Sequence, residues 1–203
     1  MARSDDLNQL PTDLPVPADD GACAHLTGMA LPAPLPLPLP ATSGGTVDLA
    51  ALPGRTVVYC YPRTGLPDVP SPDSWDAIPG ARGCTPQSCA FRDHYAELRG
   101  LGAGVYGLST QTTDYQREAA ERLHLPFPLL SDAELAFAHA LRLPTFTFDG
   151  VELLTRVTLI LRDGRVEHVF YPVFPPDANA AEVVRWLQAH PLAGERTTSP
   201  AGY

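Results

Sequence analysis

The chain has 203 residues, 44% of them apolar, and a formal net charge of −9. That length suits one domain carrying an extension, and the apolar share can fill a core. All 14 basic residues are arginine, which excludes Schiff-base or P-loop chemistry built on a lysine; the acidic balance argues against a general nucleic-acid or anionic-membrane surface.

Of the 23 prolines, 14 fall in residues 1–80. Collagen is excluded because the 16 glycines show no three-residue period. The later chain is rich in Leu, Val and Phe, which argues against wholesale disorder. No apolar run approaches the ~18 residues of a membrane span. Met1 to Leu10 carry Asp5 and Asp6 and no apolar stretch, so they do not read as a signal peptide. A cytoplasmic location is the expectation. Four cysteines are too few for a disulfide scaffold; in a reducing compartment they would be buried, metal-binding or catalytic.

Residues 1–45 read as an acidic, proline-rich arm. Leu31 to Pro40 (LPAPLPLPLP) places proline at every second position, which no helix or central strand tolerates. An extended, polyproline-like segment is expected, its leucines lying along the surface of the domain. The domain itself is expected over 46–190, with order beginning near Thr56, and residues 191–203 as a loose tail. Thr56–Tyr61 (TVVYCY) reads as a buried strand ending at Pro62. A long loop follows over 63–83, a length usually functional or disordered.

A helix is predicted from Pro86 to Leu101, with Thr85 as cap and Phe91, Tyr95 and Leu98 as its apolar stripe. Val105–Ser109 reads as a strand, Asp114–Leu123 as an amphipathic helix and Phe127–Leu130 as a short strand. Ser131 with Glu134 forms a capping-box pattern for a helix running to about Leu141. Val157–Leu161, Asp163-Gly164 and Val166–Tyr171 form a hairpin signal. The last helix opens near Asn179 and buries Val183, Val184 and Leu187. The order implies an α/β domain, with parallel pairing early and an antiparallel hairpin late.

The segment Gly83-Cys84-Thr85-Pro86-Gln87-Ser88-Cys89 carries the most chemistry. It joins a long loop to a helix start, where unpartnered N–H groups favour an anion. A thiol there favours its reactive thiolate form. Arg82 can add a positive charge, or be a solvated side chain. Cys89 lies five residues on, and in an ideal helix those Cα atoms are roughly 8.6 Å apart. A disulfide needs about 4.4–6.8 Å. If both cysteines are helical, the bond requires the first turn to unwind; if Cys84 sits just outside the helix, the demand is smaller. Either way a Cys84–Cys89 bond is coupled to local rearrangement, as befits a catalytic disulfide. Two ordinary buried cysteines remain the plain alternative. A zinc site lacks a second recognisable ligand pair. Cys60, inside an apolar strand, reads as inert, and Cys23 in the arm is unassigned.

From Thr56 to Leu187, about two-thirds of the chain, the sequence resembles a peroxiredoxin of the bacterioferritin-comigratory, or peroxiredoxin Q, type. The resemblance rests on ordered blocks: Thr56–Pro62, Gly83–Asp93 (GCTPQSCAFRD), Val105–Ser109, Leu129–Asp132, and Arg156–Ile160 with Asp163-Gly164. It implies a thioredoxin-like α/β fold, a central mixed sheet flanked by helices, and reduction of hydrogen peroxide or organic hydroperoxides by a thiol. Cys84 matches the peroxidatic cysteine, Cys89 the resolving cysteine of an intrachain disulfide, and Arg156 the arginine that stabilises thiolate and peroxide. The resemblance implies no metal or organic cofactor. It implies a thioredoxin- or glutaredoxin-like reductant, no nucleic-acid or membrane partner, and a monomer or homodimer.

Two positions depart from that pattern. Where the family has proline seven residues before the reactive cysteine and Thr or Ser three before it, this chain has Ala77 and Ala81. Residues 65–80 read as an insertion in the active-site loop, and Pro62 with Thr64 or Ser71 can fold back toward the site. Two other functions compete: a general thiol–disulfide oxidoreductase or peroxide sensor on the same fold, and a non-enzymatic interaction protein using the proline-rich arm. The five-residue cysteine spacing, unlike Cys-x-x-Cys, speaks against a thioredoxin-type carrier.

Overall fold

A computed structural model describes residues 10–34, 38–67, 69 and 71–192. Two short strands, β1 (Leu39–Pro40) and β2 (Thr46–Val47), pair antiparallel ahead of the main sheet. The apolar run after them becomes β3 (Arg55–Cys60), buried along its whole length. Such a run suits a strand covered on both faces. The chain then forms α1 (Asp73–Asp76), α2 (Cys84–Asp93), α3 (Tyr95–Gly100), β4 (Ala103–Ser109), α4 (Thr113–Arg122), β5 (Leu129–Ser131) and α5 (Ala136–Leu141). A hairpin of β6 (Thr145–Phe148) and β7 (Val151–Leu154) follows, then β8 (Val157–Arg162), β9 (Arg165–Phe170), a 3₁₀ turn (Pro176–Ala178) and α6 (Asn179–Ala189).

The five-stranded sheet has the order β5-β4-β3-β8-β9. β3 pairs parallel with β4 and antiparallel with β8, so the sheet is mixed, as expected. Strand alternation sends β3 side chains to two cores. Val57 and Tyr59 join Phe91, Leu98, Ile160, Val183 and Leu187 beneath α2, α3 and α6. Val58 and Cys60 join Leu108, Phe137, Leu141 and Leu159 on the opposite face. Cys60 is fully buried there, and burial holds its thiol far above the usual range.

The second core also takes in Cys23, Leu26, Leu31, Leu39 and Ala41 from the proline-rich segment. Leu26 is fully buried, a contribution of about 1.5–3 kcal/mol. These leucines lie inside rather than along the surface, because among the described residues α5 is the one helix that joins this core, and the face needs a further cover. Gly28 N–H and Leu31 N–H donate to the carbonyls of Val166 and Gly164, stitching the segment to β9 and its turn. Order therefore begins well before Thr56. Of the predicted polyproline run, residues 35–37 lie outside the described set, as does the tail over 193–203.

Three local readings differ. The helix expected over Pro86–Leu101 breaks at His94, whose φ of −91° and ψ of 2° leave the helical region. The capping residue of α2 is Gly83, at φ +104°, and Thr85 sits inside the helix. The Ser131–Glu134 capping box does not form. Ser131 Oγ donates to Gln111 O at 2.7 Å, and the Asp132 carboxylate takes over, accepting from Phe137 N at 3.0 Å and Ala138 N at 2.8 Å.

Candidate active site

Cys84 is the first residue of α2, set there by two constraints. Gly83 adopts a left-handed φ that side chains resist, and a Cβ on it would come within 2.6 Å of both Leu10 Cδ2 and Pro176 Cγ. The loop thus turns sharply under a close apolar cover and enters the helix at the cysteine. Pro86 falls within the first turn, where its missing N–H leaves no intrahelical bond unmade.

Arg156 reaches this point from the start of β8. Arg156 is 2% exposed, and its guanidinium Nη2 lies 3.2 Å from Cys84 Sγ. The same group donates from Nε to Gly80 O (3.2 Å) and from Nη2 to Ala81 O (3.1 Å) and Arg82 O (3.3 Å). Nη1 donates to Gln87 Oε1 on α2. Every one of these acceptors is neutral, and among the described residues no carboxylate pairs with Arg156. A buried cation whose charge is uncompensated is costly. The guanidinium thus brings an uncompensated positive charge up to the Cys84 sulfur.

Cys84 is itself buried, at 4% exposure, and its thiol lies 3.7 Å from Ala81 O. Ala81 offers a backbone carbonyl, not a hydroxyl. Thr64 does not replace that hydroxyl: its N–H (2.9 Å) and Oγ1 (3.2 Å) both face Gln111 Oε1. Pro62 O accepts from Ser109 Oγ at 3.0 Å. Arg82, a candidate for charge near the thiol, is buried and pairs with Asp76 at 3.2 Å; its backbone carbonyl is what touches the guanidinium.

The loop over 65–80 is anchored through Trp75. Trp75, Ala81, Phe148 and Leu153 form a small buried cluster, with Ile78 and Phe146 against it. The Arg63 guanidinium lies over the Trp75 and Phe148 rings at 4.4 and 4.9 Å, a cation–π geometry. The loop is thereby clamped to the β6–β7 hairpin, which holds the Gly80 and Ala81 carbonyls where Arg156 needs them.

Cys89 sits in the second turn of α2, half-buried. Burial pushes its thiol up, with Arg92 pulling the other way and Asp93 reinforcing the rise. Because Cys84 and Cys89 share one helix, their Cα atoms stand roughly 8.6 Å apart by helical geometry. Closing a bond between them requires α2 to unwind from its first turn, which starts with Gln87 N–H donating to Gly83 O at 3.0 Å. Cys23 is remote from this site, in the opposite core, its thiol pushed up to about 12 chiefly by burial. Among the described residues no group of three or more His, Cys, Asp or Glu is placed to hold a metal ion.

Three further side chains complete the site and carried no sequence signal of their own beyond Gln87's position one turn after Cys84. Gln87 Nε2 donates to Asn179 Oδ1 at 3.0 Å, and Thr158 Oγ1 donates to the same oxygen at 2.7 Å. All three are fully buried.

The Redoxin family profile matches residues 17–184. Peroxiredoxin Bcp of Escherichia coli (strain K12) is 32% identical over 154 residues, covering 72% of this chain and 87% of that protein. The chain belongs to the redoxin family, in its peroxiredoxin Q/Bcp branch. Chloroplastic peroxiredoxin Q of Oryza sativa subsp. japonica is 32% identical over 148 residues, so the chain spans 60% of that relative's length. Among solved structures, peroxidoxin BcpB of Mycobacterium tuberculosis superposes with a TM-score of 0.66 at 27% identity, covering 82% of this chain and 99% of that one. The bacterioferritin comigratory protein of Xanthomonas campestris, described for its alkyl peroxide reduction activity, gives 0.64 at 26% identity, covering 80% and 97%. The thioredoxin-like sheet of this redoxin chain is the frame those structures share, and its Cys84–Arg156 contact lies within the matched span.

Proposed function

We propose that the protein is a thiol-dependent peroxidase in which Cys84 is the nucleophile, Cys89 resolves and Arg156 stabilises charge. The observation that carries this reading is the 3.2 Å approach of the buried Arg156 Nη2 to Cys84 Sγ at the start of a helix. The Cys84 thiolate attacks the terminal oxygen of a hydroperoxide. The O–O bond breaks, an S–O bond forms, and the alkoxide or hydroxide leaves and takes a proton. Arg156 N–H donors and the first α2 amides lower the energy of that developing charge. Cys84 becomes a sulfenic acid. Cys89 sulfur then displaces its oxygen, giving a Cys84–Cys89 disulfide and water. An external dithiol of thioredoxin or glutaredoxin type returns both thiols by exchange and is itself oxidised to a disulfide.

As to the substrate class, the Xanthomonas relative's named activity supports alkyl hydroperoxides beside hydrogen peroxide. All the reacting groups fall within residues 46–190, which we take as the catalytic unit, with residues 1–45 as an extension whose described part packs onto it through Leu26, Leu31 and Leu39. Among the described residues no helix is long and apolar enough to cross a membrane. A reducing compartment such as the cytoplasm suits the dithiol step; the rice relative is named chloroplastic. The peroxide-dependent oxidation of a dithiol donor tests the reading. Cys84→Ser abolishes it, and full turnover by that variant would refute the assignment.

A further inference from the structure

The polarity of the buried chain behind Arg156 is dictated link by link. A guanidinium only donates, so Gln87 must turn Oε1 toward it. That leaves Gln87 Nε2, a donor, facing Asn179, which must therefore present Oδ1. The Thr158 hydroxyl, on β8 two residues beyond Arg156, donates to that same oxygen. Asn179 opens α6, so one oxygen ties α2, α6 and β8 together behind the guanidinium. The opposite end of the carboxamide, Asn179 Nδ2, is buried with no hydrogen-bond partner among the described residues. An orphaned buried donor costs about 1–3 kcal/mol. Packing alone would favour an apolar residue here; what the position needs is the acceptor.

We propose that Asn179 is a positioning residue for the peroxidase chemistry: its Oδ1 locks the Gln87 carboxamide, and through it the guanidinium held against Cys84 Sγ. This rests on the thiol-peroxidase reading. Without the acceptor, Gln87 is free to flip and set an NH₂ group against Arg156, a donor against a donor. Nη1 then loses its anchor on α2, and Nη2 is held only by the carbonyls of the loop. Thr158 supports the lock as the second donor on Oδ1.

The test uses the full chain carrying Cys89→Ser, with Asn179→Ala and Asn179→Asp added in turn. Two quantities are read: the second-order rate of Cys84 oxidation by hydrogen peroxide, and the ratio of Cys84 alkylation rates by iodoacetate and iodoacetamide. The second reports whether a cation sits beside the sulfur and needs no peroxidase activity. Asn179→Ala slows oxidation ~5–20-fold, the scale of loosening one charge-assisted hydrogen bond, and lowers the reagent ratio at least ~3-fold on the same grounds. Asn179→Asp, which keeps an oxygen toward Gln87 Nε2, restores oxidation to within about twofold.

Parental rate and ratio in a folded Asn179→Ala chain overturn the proposal. So does equal slowing in both variants with an unchanged ratio, which marks a structural role only. If Asn179→Ala does not fold, Thr158→Val removes one of the two bonds to Oδ1 and must lower the reagent ratio; an unchanged ratio overturns the proposal. A parent chain inert to peroxide refutes the peroxidase reading, while the reagent ratio still decides whether Asn179 positions the guanidinium.

Discussion

Replacing Arg156 by methionine keeps much of its bulk and removes every donor it brings to the site. Cys84 Sγ loses the Nη2 contact at 3.2 Å, and Gln87 Oε1 and the carbonyls of Gly80, Ala81 and Arg82 lose theirs. Loss of one preorganised donor at a developing charge costs about 2.7–4 kcal/mol, or ~10²–10³ in rate. Arg156→Met is therefore expected to slow Cys84 oxidation by about 10²–10³. Arg156→Lys keeps the charge but concentrates its donors at one point, which cannot span Sγ and Gln87 together. It should fall between, near ~10–10²-fold.

Stability also drops, because orphaned buried acceptors cost about 1–3 kcal/mol each before the loop relaxes. A domain of this size loses about 2–4 °C in Tm per kcal/mol, so rates are compared well below the lower transition. Stopped-flow tryptophan fluorescence follows the step, since Trp75 shares a cluster with Ala81 three residues before the reacting sulfur. A folded Arg156→Met chain oxidising within threefold of the parent would refute the electrostatic argument.

Four other outcomes follow from the same structure. Cys89→Ser should accumulate a sulfenic acid on Cys84 after one equivalent of peroxide, seen as a dimedone adduct by mass spectrometry; its rapid return to thiol without added reductant would remove Cys89 from the resolving role. In Cys84→Ser, iodoacetamide alkylation of Cys89 should climb about tenfold per pH unit, since only the thiolate reacts, and bend over only above the usual thiol range, because burial raises this group. A plateau below that range contradicts the burial. Cys23 and Cys60 should resist a disulfide reagent at pH 8 in the native protein and react only on unfolding, both thiols being pushed up by burial. Gly83→Ala should lower stability by at least about 1–2 kcal/mol from its φ of +104° alone, with more from overlap on Leu10 and Pro176; a melting temperature equal to the parent's would mean that the turn is not held as described.

The parts of this protein written in the sequence are those set by local spacing. The apolar run of β3 and the Asp163-Gly164 turn between β8 and β9 are nearest-neighbour signals. So is the sequence block that places Cys84 at a helix start and Arg156 at the head of a strand. The β6–β7 hairpin carried a signal of the same kind, Asp149-Gly150 between Phe148 and Val151, a dipeptide that favours a two-residue turn. Other features depend on contacts far apart in the chain. Burial of Leu26 and Leu31 follows from a sheet face that α5 alone does not cover. Asn179 meets Gln87 across 92 residues, and no local pattern marks that encounter. The His94 break between α2 and α3 has no proline or glycine at the break to announce it. The two helical stretches share one apolar stripe, which is why periodicity joined them.

The central claim is that Cys84 and Cys89 carry a peroxide-driven cycle through a bond that the folded helix does not allow. One equivalent of hydrogen peroxide added to the reduced full-length chain, followed by acid quench, digestion and mass spectrometry, tests it directly. The account predicts a peptide linked between Cys84 and Cys89, two hydrogens lighter than the dithiol, with Cys23 and Cys60 still reduced. Recovery of Cys84 and Cys89 as free thiols, or oxidation that falls on Cys23 or Cys60 instead, would contradict it.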